Sequence, residues 1–251
     1  MPNTEIEKII TDAEHFLQQE QMLYGNTLYP EQMKKKISAP DVEKTGMPLI
    51  VDAPVQAAVN EPWQSASTLA DLNKQICECQ KCGLGKTRTK FVFGVGNPNA
   101  DLLVIGEAPG ADEDAKGEPF VGRAGQLLTK ILEAVHFTRE EVFIANILKC
   151  RPPENRKPNP EEVELCEPYL WKQIELIKPK VILLLGLTAA QTILRTKESM
   201  GQLRTSTHLY RNTPVFVTYH PAALLRNPNW KRPTWEDVQK LRKMYDEMKN
   251  N

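Results

Sequence analysis

The sequence predicts a three-layer α/β/α fold with a central, mostly parallel four-stranded sheet. Four short runs rich in apolar and β-branched residues, at 102–105, 142–147, 181–185 and 215–218, have the length and composition of buried strands. Helix-period stretches lie between them, and strands alternating with helices build a parallel sheet covered on both faces. The bulk composition agrees: 251 residues, 41% of them hydrophobic, make an ordinary globular chain.

The elements follow in order. Thr4-x-x-Glu7 is a capping-box pattern, and Ile6, Ile9, Ile10, Ala13 and Leu17 continue it at helical spacing. From 29 to 66 the periodicity is lost, and prolines at 30, 40, 48, 54 and 62 interrupt any regular element. Residues 1–67 are therefore expected to be a helix plus a linker or arm, and 68–251 the functional domain. After the first strand, residues 126–135 place Leu127, Leu128, Ile131, Leu132 and Val135 on one face. The helix at 160–177 opens with Asn159 as N-cap, Pro160 at the first helical position, and Glu161 and Glu162 in the first turn. Pro168 is expected to kink it. A last helix at 235–248 starts after Thr234 and turns Trp235, Val238, Leu241 and Tyr245 inward.

Charge and apolar runs exclude several functions. The longest unbroken apolar stretch, 181–185, is far below the roughly 20 residues that cross a bilayer, so no membrane span is expected. The N-terminus has no basic stretch feeding an apolar core, which argues for a cytoplasmic protein. The 32 basic and 32 acidic side chains cancel, leaving only local basic patches to attract nucleic acid. Two such patches stand out. From Ser199 to Trp235 there is no acid but there are Arg204, Arg211, Arg226, Lys231 and Arg232, and Lys149, Arg151, Arg156 and Lys157 surround a cysteine.

Four of the five cysteines form two pairs. Cys79-x2-Cys82 precedes the first strand, and Cys150 and Cys166 flank the Pro-rich loop 151–160. In a reducing compartment such pairs suit metal binding better than disulfides. Zinc and an iron–sulfur cluster are both compatible with four thiolates. Cys77 is read as a nearby thiol that is not a ligand.

In open parallel sheets ligands bind beyond the carboxyl ends of the strands. The first strand runs into Gly106-Glu107-Ala108-Pro109-Gly110 with Glu113-Asp114; the second carries Asn146; the fourth leads to His220. Phe120 lies in the segment Pro119-Phe120-Val121-Gly122-Arg123-Ala124-Gly125. A carboxylate, an amide, an imidazole and an aromatic ring are thus expected on one rim. Gly94-x-Gly96-x-x-Asn99 precedes a strand and lacks the third glycine, so it is no dinucleotide fingerprint.

These motifs, with Cys150-Arg151-Pro152-Pro153 and His220-Pro221-Ala222-Ala223-Leu224-Leu225, together resemble the family 4 uracil-DNA glycosylases over about 180 residues from Leu69 onward. The resemblance implies a [4Fe-4S] cluster on Cys79, Cys82, Cys150 and Cys166, uracil-containing DNA as partner, and excision that leaves an abasic site. Relatives that trap DNA covalently insert a basic His-bearing loop between the acidic motif and Gly122; here 113–120 is short and lacks a His, which implies ordinary turnover. Where the best-known branch has an aspartate, this chain has Ala108, so water activation differs.

The residue types then suggest roles. Phe120 stacks on the flipped base, with Gly106 and Ala108 in the substrate pocket. Asn146 reads uracil N3–H and O4, with neighbouring hydrogen bonds needed to fix its amide. His220 donates to O2 of the departing ring. By resemblance Glu113 orients water and Glu107 stands in the pocket wall. Leu224 and Leu225 fill the gap in the duplex, while Arg226 and Arg151 contact phosphate. A monomer is expected. The rival readings are a non-catalytic iron–sulfur or zinc nucleic-acid-binding module and a redox protein; the latter leaves the acid-free segment unexplained.

Overall fold

Seven strands form one sheet in the computed structural model, which describes residues 49–51 and 61–250. The chain divides into two units, Met1–Lys44 and Thr45–Asn251. The first, and with it the expected N-terminal helix, lies outside the described residues. Within the second, the described chain up to Ala66 already packs with the domain, Trp63 being buried edge-on against Tyr169 at 4.9 Å between ring centroids.

The strands are β1 (Ile50–Val51), β2 (Val95–Gly96), β3 (Leu102–Gly106), β4 (Phe143–Asn146), β5 (Val181–Leu185), β6 (His208–Tyr210) and β7 (Thr213–Thr218). Their order is β1-β6-β7-β5-β3-β4-β2. The four expected strands are the central ones, β7, β5, β3 and β4, and all pair in parallel. Three more extend the sheet beyond the four anticipated: β2 antiparallel on β4, β6 antiparallel on β7, and β1 parallel on β6. Each is only two or three residues long, too short to carry a period-2 signal. The β6–β7 hairpin turns on Arg211 and Asn212, both at positive φ, as a two-residue primed turn requires.

The helices are α1 (Leu69–Ile76), α2 (Leu84–Thr87), α3 (Ala111–Lys116), α4 (Arg123–Ala134), α5 (Pro160–Ile177), α6 (Leu187–Ile193), α7 (Met200–Leu203), α8 (Pro221–Arg226) and α9 (Lys231–Lys249). Because side chains alternate across a strand, the central strands feed two cores. Leu103, Ile105, Ile182 and Leu184 pack with α1, α5 and α6. Leu102, Val104, Val181 and Leu183 pack with α4, Leu224 of α8 and α9. The result is helix, sheet, helix.

Two helix details bear on the expectations, and one of them, the start of α9, differs. α5 runs on as one helix through Pro168, the residue expected to kink it, so the proline does not end it. α9 starts at Lys231, because Pro233 sits in the first turn, where its missing N–H costs nothing. Thr234 is consequently inside the helix, its hydroxyl donating to the Trp230 carbonyl at 2.9 Å.

Candidate active site

The carboxyl ends of β3, β4 and β7 converge on one cavity of about 540 Å³, whose wall includes Glu107, Phe120, Asn146, His220 and Arg226. Gly106 and Asn146, the last residues of β3 and β4, are cross-strand partners. A Cβ on Gly106 would run into both the Asn146 amide oxygen and the Phe120 ring, so glycine lets these two side chains meet over the strand end. Phe120 itself is buried with φ at 54°. Its carbonyl presses on the first turn of α4, where a Cβ on Gly125 would occupy the same space.

Asn146 is buried, and its Oδ1 has no hydrogen-bond partner among the described residues. The side-chain bonds expected to fix its amide are not present there either. Instead the ammonium of Lys149 holds the Asn146 main-chain carbonyl at 2.8 Å and the Gln173 Oε1 at 2.6 Å. Lys149 is 0% exposed and so is no part of a basic surface. A run of basic residues cannot reveal that one of them is turned inward.

His220 caps α8. Its Nδ1 accepts the Ala222 N–H at 3.2 Å, so the neutral ring carries its proton on Nε2. Burial pushes its pKa down to about 4; Arg226 adds to the shift and Glu113 opposes it. The ring lies 5.5 Å from Phe120, centroid to centroid.

The two glutamates differ in their bonding. Glu113, in the first turn of α3, accepts backbone N–H bonds from Gly110 at 3.1 Å, Val121 at 2.9 Å and Gly122 at 3.0 Å. It clasps the loop after β3 to the loop that carries Phe120. Glu107 lines the cavity beside Ala108, and its carboxylate accepts no hydrogen bond from a described residue.

The two leucines of the 224–226 tip part company. Leu224 is 1% exposed and packs in the core, so it is unavailable to DNA, whereas Leu225 is 42% exposed. Arg226 is exposed at the cavity mouth. Arg151 bonds the Asn155 side chain at 2.9 Å. Arg156 is engaged by Glu162 in a two-pronged pair, at 2.6 and 2.9 Å. The wall also holds Tyr219 and Trp230, two aromatics that the motif pattern did not single out.

Four of the cysteines belong to or pack against one apolar core. Cys150 and Cys166 are buried, and Cys79 and Cys82 pack against the same core. Burial pushes the Cys166 thiol up to about 12, with Lys149 opposing and the Cys150 and Cys79 thiols adding. Burial also raises Cys150, where Arg88 opposes and Cys82 and Cys79 add. Three donors already point at sulfur: the Lys149 N–H at Cys166, Arg88 at Cys150 (both 3.3 Å) and the Tyr169 hydroxyl at Cys79 (3.2 Å). Such donors stabilise thiolates bound to a metal. Cys77 bonds the Lys74 carbonyl of its own helix. Among the described residues no group of three or more His, Cys, Asp or Glu side chains is gathered as the ligands of a metal ion.

Residues 93–241 match the family model of the uracil DNA glycosylase superfamily. The type-4 uracil-DNA glycosylase of Archaeoglobus fulgidus is 46% identical over 69% of this chain and 92% of the relative. Those of Saccharolobus solfataricus and Thermotoga maritima are 43% and 41% identical, over 67% and 68% of this chain and 82% and 91% of their own. No described helix is long and apolar enough to cross a membrane. With a mostly parallel sheet whose strand exits meet in one cavity and relatives this similar along most of their length, the chain belongs to the uracil-DNA glycosylase superfamily, in its type-4 branch.

Proposed function

We propose that the protein removes uracil from DNA by hydrolysing its N-glycosidic bond, using the cavity at the ends of β3, β4 and β7. The observation that carries the site assignment is the Asn146 Oδ1, buried without a partner beside Phe120 and Gly106. An unpaired buried acceptor costs about 1–3 kcal/mol, and uracil N3–H would satisfy it. The amide nitrogen then faces O4. Cytosine, with an unprotonated N3 and an amino group at C4, presents the reverse pattern.

The flipped base lies against Phe120, which offsets part of the few kcal/mol spent on unstacking. As the bond breaks, negative charge grows on the uracil ring. His220, neutral with its proton on Nε2, donates to O2 without delivering a full positive charge. Glu107 is the carboxylate that faces the cation-like sugar and orients water, because its oxygens are free of described partners. Three backbone N–H groups already occupy Glu113, which braces the two loops. This exchanges the roles that the family resemblance suggested for the two residues.

Leu225 fills the space vacated by the base, and Arg226 and Arg151 meet phosphate. The donor set fits an iron–sulfur cluster held by Cys79, Cys82, Cys150 and Cys166, with sulfur-directed donors in place. Bound there, the cluster supplies a structural cross-link between the segment before β3 and α5. We take the protein to act as a cytoplasmic monomer, since one cavity suffices for one flipped base, and residues 1–67 to be an appended arm.

Incubation with an oligonucleotide holding one deoxyuridine tests the reading. Free uracil and an alkali-labile site are expected; their absence with cluster-loaded protein would leave only a nucleic-acid-binding role.

A further inference from the structure

The cavity mouth carries an aromatic stack that no step of excision uses. Tyr219 and Trp230 lie with ring centroids 4.7 Å apart and planes 11° from parallel, and both line the cavity. The guanidinium of Arg204 lies over Tyr219, 5.3 Å from the ring centre. Arg204 is itself pinned, its Nε and Nη2 each donating to Asp237 at 2.9 Å and Nη2 donating to the Pro233 carbonyl at 2.7 Å. Thr218 completes the anchor by donating its hydroxyl to Asp237 at 2.8 Å.

This stack is rigid at its base and open at its end. Although Tyr219 covers one face, Trp230 remains 37% exposed, the one aromatic among the exposed large apolar side chains described. It stands in the acid-free segment, with Arg226 and Arg232 exposed on either side in sequence. An exposed indole within a cationic surface, already stacked on a phenol, is the arrangement that single-stranded nucleic acid binders offer to a base.

We infer that Trp230, backed by Tyr219 and Arg204, is a stacking platform for an unpaired nucleobase beside the uridine held in the cavity. The ligand class is thus uracil-containing single-stranded DNA, because a neighbour inside a duplex stays paired and is held between the base stack on one side and the Leu225 wedge on the other. Tyr219 adjoins His220 in the chain, which fixes the platform relative to the excision site. The inference rests on the glycosylase reading for what fills the cavity.

Trp230→Ala and Trp230→Phe, assayed on single-stranded and duplex oligonucleotides with one deoxyuridine, test it. In Trp230→Ala, KM for the single strand rises about tenfold, kcat changes much less, and KM for the duplex moves by a smaller factor. Trp230→Phe retains a stacking face and stays within about threefold of wild type. Independently, a uracil-free single-stranded oligonucleotide quenches the tryptophan fluorescence of the wild type, and the quench is lost in Trp230→Phe. Quenching without any excision would remove the glycosylase reading and leave the platform standing. Excision with equal KM in wild type and Trp230→Ala, and equal quenching in Trp230→Phe, would overturn the platform.

Discussion

The Nδ1 of His220 accepts the backbone N–H of Ala222, two residues along the same helix, at 3.2 Å. That bond assigns the tautomer, and burial holds the pKa near 4, below the ordinary 6.5. The ring is therefore neutral, with Nε2–H available, at every pH above about 4. Excision should show no inflection near 6.5, and the limb that depends on His220 should appear only as pH falls toward 4. An unfolded chain would take up this proton below 6.5, so the ring's contribution to stability declines from pH 6.5 to 4 and then levels off. A pH–rate profile with a wild-type inflection near 6.5, absent in His220→Gln, would contradict this.

Glu107 and Glu113 should separate by what they damage. Glu107→Gln should lower kcat by about 100-fold or more while leaving the melting temperature nearly unchanged. Glu113→Ala strips the acceptor from three backbone N–H groups. It should cost roughly 2 kcal/mol of stability, or about 4–8 °C in Tm, and raise KM as the Phe120 loop loosens. Single-turnover rates set beside thermal melts decide the matter. A near-normal rate in Glu107→Gln would return the water to Glu113.

Lys149 should act through Asn146 without touching substrate. Its ammonium grips the Asn146 carbonyl deep in the protein. Lys149→Met keeps the bulk and loses the grip, so the inhibition constant of free uracil should rise about tenfold, the equivalent of one hydrogen bond. Excision kinetics with added uracil measure that constant. Unchanged inhibition would mean that Asn146 holds its place without Lys149.

Arg204→Ala leaves Asp237 buried with Thr218 as its remaining hydrogen-bond donor. Removing one member of a buried pair costs roughly 3–5 kcal/mol, which should appear as a Tm loss of about 10 °C. Burial already raises the Asp237 pKa to about 6, against the opposing Thr218 and Arg204 bonds. A carboxyl whose pKa is raised on folding contributes stability at low pH and loses it as pH rises through that value. The variant should therefore lose more at pH 8 than at pH 5. An equal loss at both would show that Asp237 is not the source.

The sequence was most legible where a signal repeats. Apolar runs located β3, β4, β5 and β7, and the Asn159-Pro160 start and 3.6-residue period located α5 over its full length. Edge strands of two or three residues carry no period, and the Arg211-Asn212 turn lacks the glycine that usually announces a hairpin. Which leucine of the 224–226 tip faces the core depends on how α8 is rotated against α4, a tertiary fact. The inward turn of Lys149 is of the same kind, since buried lysine is rare enough that a basic run reads as surface. Residues that line the cavity could be named from motif order, but how each is bonded depends on contacts made across the fold. Glu113 and Glu107 look alike in the chain until the backbone amides around one of them are seen.

The most direct measurement of the central claim is the single-turnover rate of uracil release from a deoxyuridine oligonucleotide, for wild type, Asn146→Ala and His220→Ala, with cluster content matched by absorbance. The account predicts excision by the wild type and a loss of about 100-fold or more in each variant. Wild-type rates retained in both variants would contradict it and place the chemistry elsewhere in the protein.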